Sequence, residues 1–187
     1  MAATNVRNGL DLDRFRDLVQ RVQEDPTAAL VKYEARSRWE QGFRTHSEVS
    51  YFWQGGQRDT SRARPHTIAV DNQTRFVGED AAPSAIELIL AALGSSLAIG
   101  IAAQAAQRGV TVESLEFTIT GDLDMRMLLG LSDRVHPGLQ TVRVKGQVKA
   151  DASDEVLREI QQAAERGSPV WNTLTRPVKV LCSLSRA

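Results

Sequence analysis

Two adjacent serines lie in a segment that is otherwise apolar. Residues 91–100 read AALGSSLAIG, so Ser95 and Ser96 place hydroxyls among small and aliphatic side chains. A serine becomes a nucleophile when a neighbouring base takes its proton, and many hydrolases present it in a GxSxG turn between a strand and a helix. GSSLA lacks the second glycine and lies within a helical pattern. A hydroxyl there can instead donate to the backbone carbonyl one turn earlier, which favours a packing role.

The other residue types that commonly carry chemistry are few. The chain has one cysteine, Cys182, and three histidines, His46, His66 and His136. A single cysteine excludes an internal disulfide and a thiolate-rich metal cluster, and the histidines do not show the spacing of a zinc site. His46 and His66 fall in or near strand patterns with no serine beside them, and His136 reads as a loop residue. We predict no metal and no cofactor.

Composition and charge narrow the class of protein. The chain has 187 residues, is 42% hydrophobic and can bury the core of one globular domain. Its 23 basic and 23 acidic residues cancel, so no charge excess favours nucleic acid or an anionic membrane as a partner. The first residues, MAATNVRNGLDLDRFRDLVQ, are charged and lack the apolar stretch of a secretory signal. We expect a cytoplasmic protein.

The N-terminal half is predicted to contain a helix followed by strands. LDLDRFRDLVQRVQED has apolar residues at helical spacing, with Asp11 or Asp13 as the N-cap and Pro26 as the stop. VKYEARSRWEQ and EVSYFW alternate with a period of two, which predicts two strands joined around Gly42. GGQRDTSRAR predicts a polar connection and HTIAVD a third strand, so this region reads as a meander.

A long helix is predicted from Ser84 to Arg108. Ser84 and Glu87 have the spacing of a capping box, and Gly109 is a suitable C-terminal cap. Residues 88–103 carry no charge, so we considered a membrane span. The run is rich in alanine, glycine and serine, however, and strand patterns with charged faces flank it. We predict a central buried helix in a protein that does not associate with membranes.

The C-terminal half predicts two strands, a helix and a last strand. SLEFTITGDLD and TVRVKGQVKAD alternate between apolar and polar residues, and SDEVLREIQQAAERG reads as a helix that ends at Gly167. Pro169 suits a first helical position. VKVLCSLS then predicts a strand in which Cys182 shares a face with aliphatic residues, so Cys182 is expected to be a core residue rather than a nucleophile.

Three segments together resemble one known family. VGEDAAPSAIELILAALGSSLAIG, the later ERGSPVWNTL and the earlier YEARSRWEQGFRTH are similar to the OsmC/Ohr family of organic hydroperoxide reductases, from about residue 31 to the C-terminus. The resemblance implies an α+β fold, with antiparallel sheets wrapped around two long central helices in an intertwined homodimer and active sites at the subunit interface. We accordingly expect an N-terminal helix extension over residues 1–28 and an OsmC-like domain over residues 29–187.

The resemblance also shows two positions at which this chain differs from the family. It implies a peroxidatic cysteine where this chain has Ser96 and a resolving cysteine where it has Ser168. The family's chemistry needs a thiolate that attacks the peroxide oxygen, becomes a sulfenic acid, and condenses with the second thiol to a disulfide that an external dithiol reduces. A serine hydroxyl performs none of these steps. We therefore predict that two-cysteine peroxidase turnover has been lost.

Four further residues are candidates, two of them by the same resemblance. Arg44 and Glu87 are nearest to the family's arginine and glutamate, although the expected spacing would place the glutamate at position 86, and Glu87 is also explained as a cap. Arg44 is equally consistent with a surface strand charge. Ser95 and Trp171 are predicted to line a ligand pocket, although core packing is the commoner role of a tryptophan.

Three functions are compatible with the sequence. The preferred one is an OsmC-like homodimer without peroxidase turnover that binds a small hydrophobic ligand or an organic hydroperoxide at its interface. The second is an enzyme of altered chemistry, such as one-thiol peroxide reduction through Cys182 or hydrolysis through Arg44, Glu87, Ser96 or a histidine. The third is a non-catalytic structural or regulatory subunit.

Overall fold

The computed structural model describes residues 5–186 and divides into two compact units, one ending at Ile89 and the other beginning at Leu90. Every strand pair is antiparallel, so the fold is of the mixed α+β class that the sequence predicts. The expected division into residues 1–28 and 29–187 stays a prediction, and residues 1–4 and 187 lie outside the described range.

The first half of the chain contains the short strands, and the second half contains two long strands and most of the helical residues. The strands are β1 (Val6–Arg7), β2 (Leu10–Asp11), β3 (Val31–Tyr33), β4 (Arg36–Gln41), β5 (Arg44–Val49), β6 (Phe52–Gln54), β7 (Gln57–Asp59), β8 (His66–Val70), β9 (Val112–Leu123) and β10 (Leu139–Ala150). The helices are α1 (Leu12–Glu24), α2 (Ala85–Gln107), α3 (Asp154–Gly167) and α4 (Pro169–Thr175). Single turns of 3-10 helix occupy Pro26–Ala29 and Thr74–Phe76.

The first unit confirms the predicted helix and its cap. The Asp11 side chain accepts hydrogen bonds from the amides of Asp13 and Arg14, which satisfies two free donors at the start of α1. The later strands of this unit form two separate sheets, whereas the sequence predicts one continuous meander. β4, β5 and β8 form one three-stranded sheet, and β3, β6 and β7 form another. The predicted single meander is therefore wrong.

Two details of the strand prediction are corrected. VKYEARSRWEQ is interrupted at Glu34 and Ala35, so its two halves belong to different sheets, and EVSYFW is interrupted in the same way at Ser50 and Tyr51. The polar link after Gly55 contains β7, because its residues complete a hairpin with β6. Period-two alternation continued through both breaks, so the pattern alone could not show where the chain changes sheets.

Both ends of α2 form as predicted. Ser84 and Glu87 make the capping box, since the Ser84 amide donates to Glu87 Oε2 at 2.7 Å and the Glu87 amide to Ser84 Oγ at 3.4 Å. At the other end Gly109 has a φ of +77°, and the Val110 amide donates to the Ala105 carbonyl at 2.9 Å. These bonds form the glycine-terminated cap that ends many helices.

Burial of α2 is only partial, which corrects the predicted central buried helix. Leu93, Leu97 and Ile101 are buried, whereas the side chain of Ile99 on another face is 71% exposed. Because apolar residues surround the whole helix, packing on one side leaves the rest uncovered. By length and composition α2 could cross a membrane, although the core helix of a soluble protein passes the same test.

The second unit packs α2 and α3 against a long hairpin. β9 and β10 pair over almost their full length, and their inward residues alternate with polar ones as predicted. The core is formed by Ile101, Ala105, Val110, Ile160 and Ala164. The close approach of α2 to α3 favours a residue without a side chain, because a Cβ at Gly100 would lie 3.2 Å from Ala164 Cβ, which is tighter than an ordinary contact.

The predicted last strand is absent. The segment after Pro177 forms no strand, and Val178, Val180 and Leu184, expected on one apolar face, are 63%, 80% and 99% exposed. Cys182 is exposed as well, so its predicted core position is wrong. A strand requires a neighbouring strand for its backbone hydrogen bonds, and the described part of this chain supplies none to the segment.

Truncation of Ile160 tests the core of the second unit. Ile160 is 1% exposed between α2 and the sheet, so Ile160→Ala should lower the free energy of unfolding by about 2–5 kcal/mol through lost burial and an unfilled cavity. Chemical denaturation followed by circular dichroism measures this change. The exposed neighbour Gln162→Ala is the control, and an equal loss in both variants would contradict the packing described.

Candidate functional site

Ser96 and Ser168, which the sequence resemblance singles out, lie against each other. Ser96 Oγ on α2 is 2.7 Å from Ser168 Oγ, although 72 residues separate them in sequence. Ser96 is half-buried and Ser168 is 3% exposed. One of the two hydroxyls donates to the other, so each polar group is satisfied within the protein.

Helix packing explains why these side chains meet. Ser96 lies one turn before Gly100 on α2, and Ser168 lies four residues after Ala164, where α3 has ended. The close approach of Gly100 to Ala164 holds the two helices together, and the serines meet one helical turn away from that contact. The same small residues that permit the helix contact therefore bring the hydroxyls into hydrogen-bond range.

Ser168 also organises the junction between α3 and α4. Its side chain accepts a hydrogen bond from the Trp171 amide at 3.1 Å, and its carbonyl accepts one from Asn172 Nδ2 at 2.8 Å. Asn172 Nδ2 is also within 3.2 Å of the Glu165 carbonyl. Ser168 is thus the N-cap of α4, a role that Pro169 at the first helical position supports.

A cavity of about 750 Å³ lies in the second unit beside this junction. Its walls come from α2, β9, β10, α3 and α4, and Leu97, Phe117, Val144 and Trp171 are among its lining residues. Ligand pockets commonly combine such a volume with an apolar lining and a few polar groups. Trp171, predicted to line a pocket, does line this one. Ser95 is exposed on α2 and is not among its lining residues.

Arg44 forms part of a polar cluster in the first unit. Its Nη1 is 3.1 Å from Glu79 Oε2, in an ion pair that is partly exposed. Beside it Asp71 is 2% exposed, and its carboxylate accepts hydrogen bonds from the amides of Asn72, Glu79 and Ala81. Burial alone would raise the pKa of Asp71, but these amides, helped by the charge of Arg44, hold it below its ordinary value.

The loop held by Asp71 has one further steric requirement. A Cβ at Gly78 would overlap the backbone carbonyl of Asn72, so the loop closes on itself only with glycine there. Sequence reasoning singled out neither Asp71 nor Gly78. The signal that could have found Asp71 is an acidic residue directly after a strand, followed by a polar segment rich in turn residues.

Glu87 is engaged in local hydrogen bonds. Its Oε2 accepts hydrogen bonds from the Ser84 amide at 2.7 Å, the Ser84 hydroxyl at 2.8 Å and Gln73 Nε2 at 2.8 Å. These three donors, led by the Ser84 amide, lower the pKa of Glu87 below its usual value despite an opposing contribution from desolvation. Glu87 is therefore an ionised cap, with its side chain committed to Ser84 and Gln73.

The candidate residues fall into separate groups. Ser96 and Ser168 meet, Trp171 lies beside them on α4, and Arg44 pairs with Glu79 while Glu87 bonds Ser84 and Gln73. No histidine is recorded within hydrogen-bond distance of a serine hydroxyl in the described part of the chain; the His136 side chain accepts a hydrogen bond from the Gly138 amide. Across residues 5–186, no group of three metal-binding side chains comes together.

Comparison with known proteins identifies the family. Residues 78–183 match the family model described as OsmC-like protein, which is more than half of the chain. The chain therefore belongs to the OsmC-like family. No curated protein matches the sequence.

Solved structures share the fold at low sequence identity. An OsmC-like protein from Mycoplasma pneumoniae is 13% identical with a TM-score of 0.59, over 77% of this chain and 87% of that one. An OsmC-like protein of unknown function from Vibrio cholerae is 15% identical with a TM-score of 0.58, over 76% and 92%. An organic hydroperoxide resistance protein from Legionella pneumophila is 15% identical with a TM-score of 0.54, over 78% and 90%.

Alanine substitutions test the serine pair. Ser168→Ala removes both the cap of α4 and the contact with Ser96, so it should cost about 1–2 kcal/mol of stability, and Ser96→Ala about 0.5–1.5 kcal/mol. The double variant should cost less than the sum, because both changes remove the same hydrogen bond. Urea denaturation measures all three, with the exposed Ser95→Ala as the matched control. Strictly additive losses would argue against the pair.

The dependence of stability on pH in the acidic range tests the role of Glu87 as an ionised cap. Its folded-state pKa lies below the ordinary 4.5, so the ionised carboxylate stabilises the fold above that pH and the contribution is lost as the pH falls through the folded-state pKa. Glu87→Gln should lower stability near neutral pH, and the difference from wild type should shrink below pH 4.5. Denaturant midpoints at several pH values measure this. Glu159→Gln, an exposed carboxylate on α3, should show no such trend.

Proposed function

We propose that this OsmC-like protein is a homodimeric, cytoplasmic binding protein that lacks two-cysteine peroxidase turnover and holds a small hydrophobic ligand. The observation that carries the proposal is the contact of 2.7 Å between the hydroxyls of Ser96 and Ser168. By the family resemblance, the two reacting thiols would stand at these positions. The chain thus keeps the arrangement of the two side chains with oxygen in place of sulfur.

The chemistry of oxygen supports the loss of turnover. A serine hydroxyl has no accessible anion near neutral pH without a base, and it has no counterpart to reversible sulfenic acid formation. The one thiol in the chain, Cys182, has no second cysteine with which to form an internal disulfide. A cycle of sulfenic acid, disulfide and reduction by a dithiol therefore lacks its reacting atoms at this site.

Exposed apolar surface supports the homodimer. Ile99 on α2 and the aliphatic residues after Pro177 are largely exposed, and a partner subunit would cover apolar side chains of this kind. The cavity lined by Trp171 supplies a place for the ligand. Arg44 and Glu87 are proposed to have structural roles, because both are engaged with neighbouring side chains.

Exposure of Cys182 favours one alternative. An accessible thiol can react with a peroxide to give a sulfenic acid, which an external dithiol reduces back to the thiol with release of water. A one-thiol peroxide reductase is therefore the second candidate. A hydrolase has less support, since no base is within hydrogen-bond distance of Ser96 in the described part of the chain.

A peroxide consumption assay separates these functions. Purified protein is incubated with cumene hydroperoxide and dithiothreitol, and wild type should consume peroxide no faster than the dithiol alone. The double variant Ser96→Cys/Ser168→Cys should gain turnover, because it restores two adjacent thiols. Sustained turnover by wild type that disappears in Cys182→Ala would overturn the proposal in favour of the one-thiol enzyme.

A further inference from the structure

We infer that α4 is a hinged lid on the cavity of the second unit and that the hydrogen bond between Ser96 and Ser168 holds it shut. This inference rests on the proposed ligand-binding function and adds how entry to the site is controlled. It follows from the face that α4 turns toward the cavity and from the places at which α4 is fastened to the rest of the unit.

One face of α4 lines the cavity. Trp171, Leu174 and Thr175 have helical spacings of three and four, and all three are lining residues. The helix is not deeply packed, because none of its residues is buried and Leu174 is 41% exposed. It packs mainly against α3, and it contributes nothing to the core between α2, α3 and the hairpin. Movement of α4 would therefore open the cavity and leave that core in place.

The junction before α4 can act as a hinge. Ser168 alone separates α3 from α4, with a φ of −76° and a ψ of 118°. Its amide donates to the Glu165 carbonyl at the end of α3, and its carbonyl accepts from the Asn172 amide at the start of α4. Across residues 5–186, no backbone hydrogen bond is recorded that joins the two helices past Ser168. Rotation at this residue therefore leaves both helices intact, as at other hinges between elements.

Hydrogen bonds fasten α4 through its first turn only. The Ser168 hydroxyl accepts from the Trp171 amide and also pairs with Ser96 of α2. The side chain of Asn172 donates to the last carbonyls of α3. In the described part of the chain, both threonine hydroxyls of α4 donate to carbonyls of the same helix. The far end of α4 is thus held by packing rather than by hydrogen bonds.

The contact with Ser96 acts as the latch because one oxygen takes part in two hydrogen bonds. Ser168 Oγ is 2.7 Å from Ser96 Oγ and 3.1 Å from the Trp171 amide nitrogen. When α4 turns about Ser168, the Trp171 amide moves, and the hydroxyl can follow it only by leaving Ser96. Opening therefore breaks at least one of these two bonds. Without the Ser96 hydroxyl the cap moves together with α4, and opening becomes easier by about one hydrogen bond.

Distances between spin labels test the lid in the full chain. Nitroxides are attached at Thr173→Cys on α4 and Gln147→Cys on β10 in a Cys182→Ser background, and dilution with unlabelled protein restricts the signal to one subunit. Double electron–electron resonance should show one dominant distance. Ser96→Ala should raise the share of a second, longer distance relative to the first by about two- to tenfold, the value of one hydrogen bond. The exposed neighbour Ser95→Ala is the control and should leave the distances unchanged.

Stopped-flow binding of the dye Nile red tests whether the lid controls entry. The observed rate should level off as the dye concentration rises, because opening of α4 then limits entry. Ser96→Ala should raise this plateau by about two- to tenfold, and Ser95→Ala should not change it. Thermal melts of both variants establish that they are folded.

The two measurements separate failure of the lid from failure of the proposed function. A single label distance that Ser96→Ala leaves unchanged would overturn the lid, whether or not the dye binds. Binding of the dye in that case would retain the ligand function. Two label distances without binding of the dye would support the lid and reject the ligand function. An equal effect of Ser95→Ala and Ser96→Ala would overturn the assignment of the latch.

Discussion

The close contact between α2 and α3 determines the geometry of the second unit. A glycine on one helix and an alanine on the other place only one methyl group between the backbones, so the helices approach closely at Gly100 and Ala164. The pairing of Ser96 with Ser168 one turn away depends on this approach, as does the burial of Ile160. A larger residue at either position would push the helices apart. The hydrogen bond between the two hydroxyls would then break before the sheet was disturbed.

A hydroxyl and a thiol place different demands on a buried position. A reactive cysteine must stay accessible and must be able to move toward its partner, whereas a buried hydroxyl is most stable when its hydrogen bond is permanent. Ser168 fits the second description, because it caps α4 and bonds Ser96 at once. The site has the character of a helix junction stabilised by polar groups. Its neighbour, the cavity beside Trp171, retains space for a bound molecule.

The sequence predicts those parts of the fold that depend on local signals. α1, α2, α3, β9 and β10 have both a clear period and identifiable ends, and all five form close to the expected positions. Partition of the N-terminal strands between two sheets and loss of the last strand depend on which strands are available as neighbours, which period-two alternation does not encode. The pairing of Ser96 with Ser168 was suggested by family resemblance alone, since no spacing rule connects residues 72 positions apart. The cavity arises from tertiary packing and left no separate pattern in the sequence, whereas the only signal for the buried Asp71 is an acidic residue directly after a strand.

The loop after β8 is held in shape by hydrogen bonds from main-chain amides to the single side chain of Asp71. Asp71 binds amides of Asn72, Glu79 and Ala81, and every amino acid except proline provides such an amide. Many different side chains can therefore replace those at the three positions without reshaping the turn. Proline at position 72, 79 or 81 would remove one of these amides, and any residue other than glycine at position 78 would clash with the Asn72 carbonyl, so these changes would disrupt the loop.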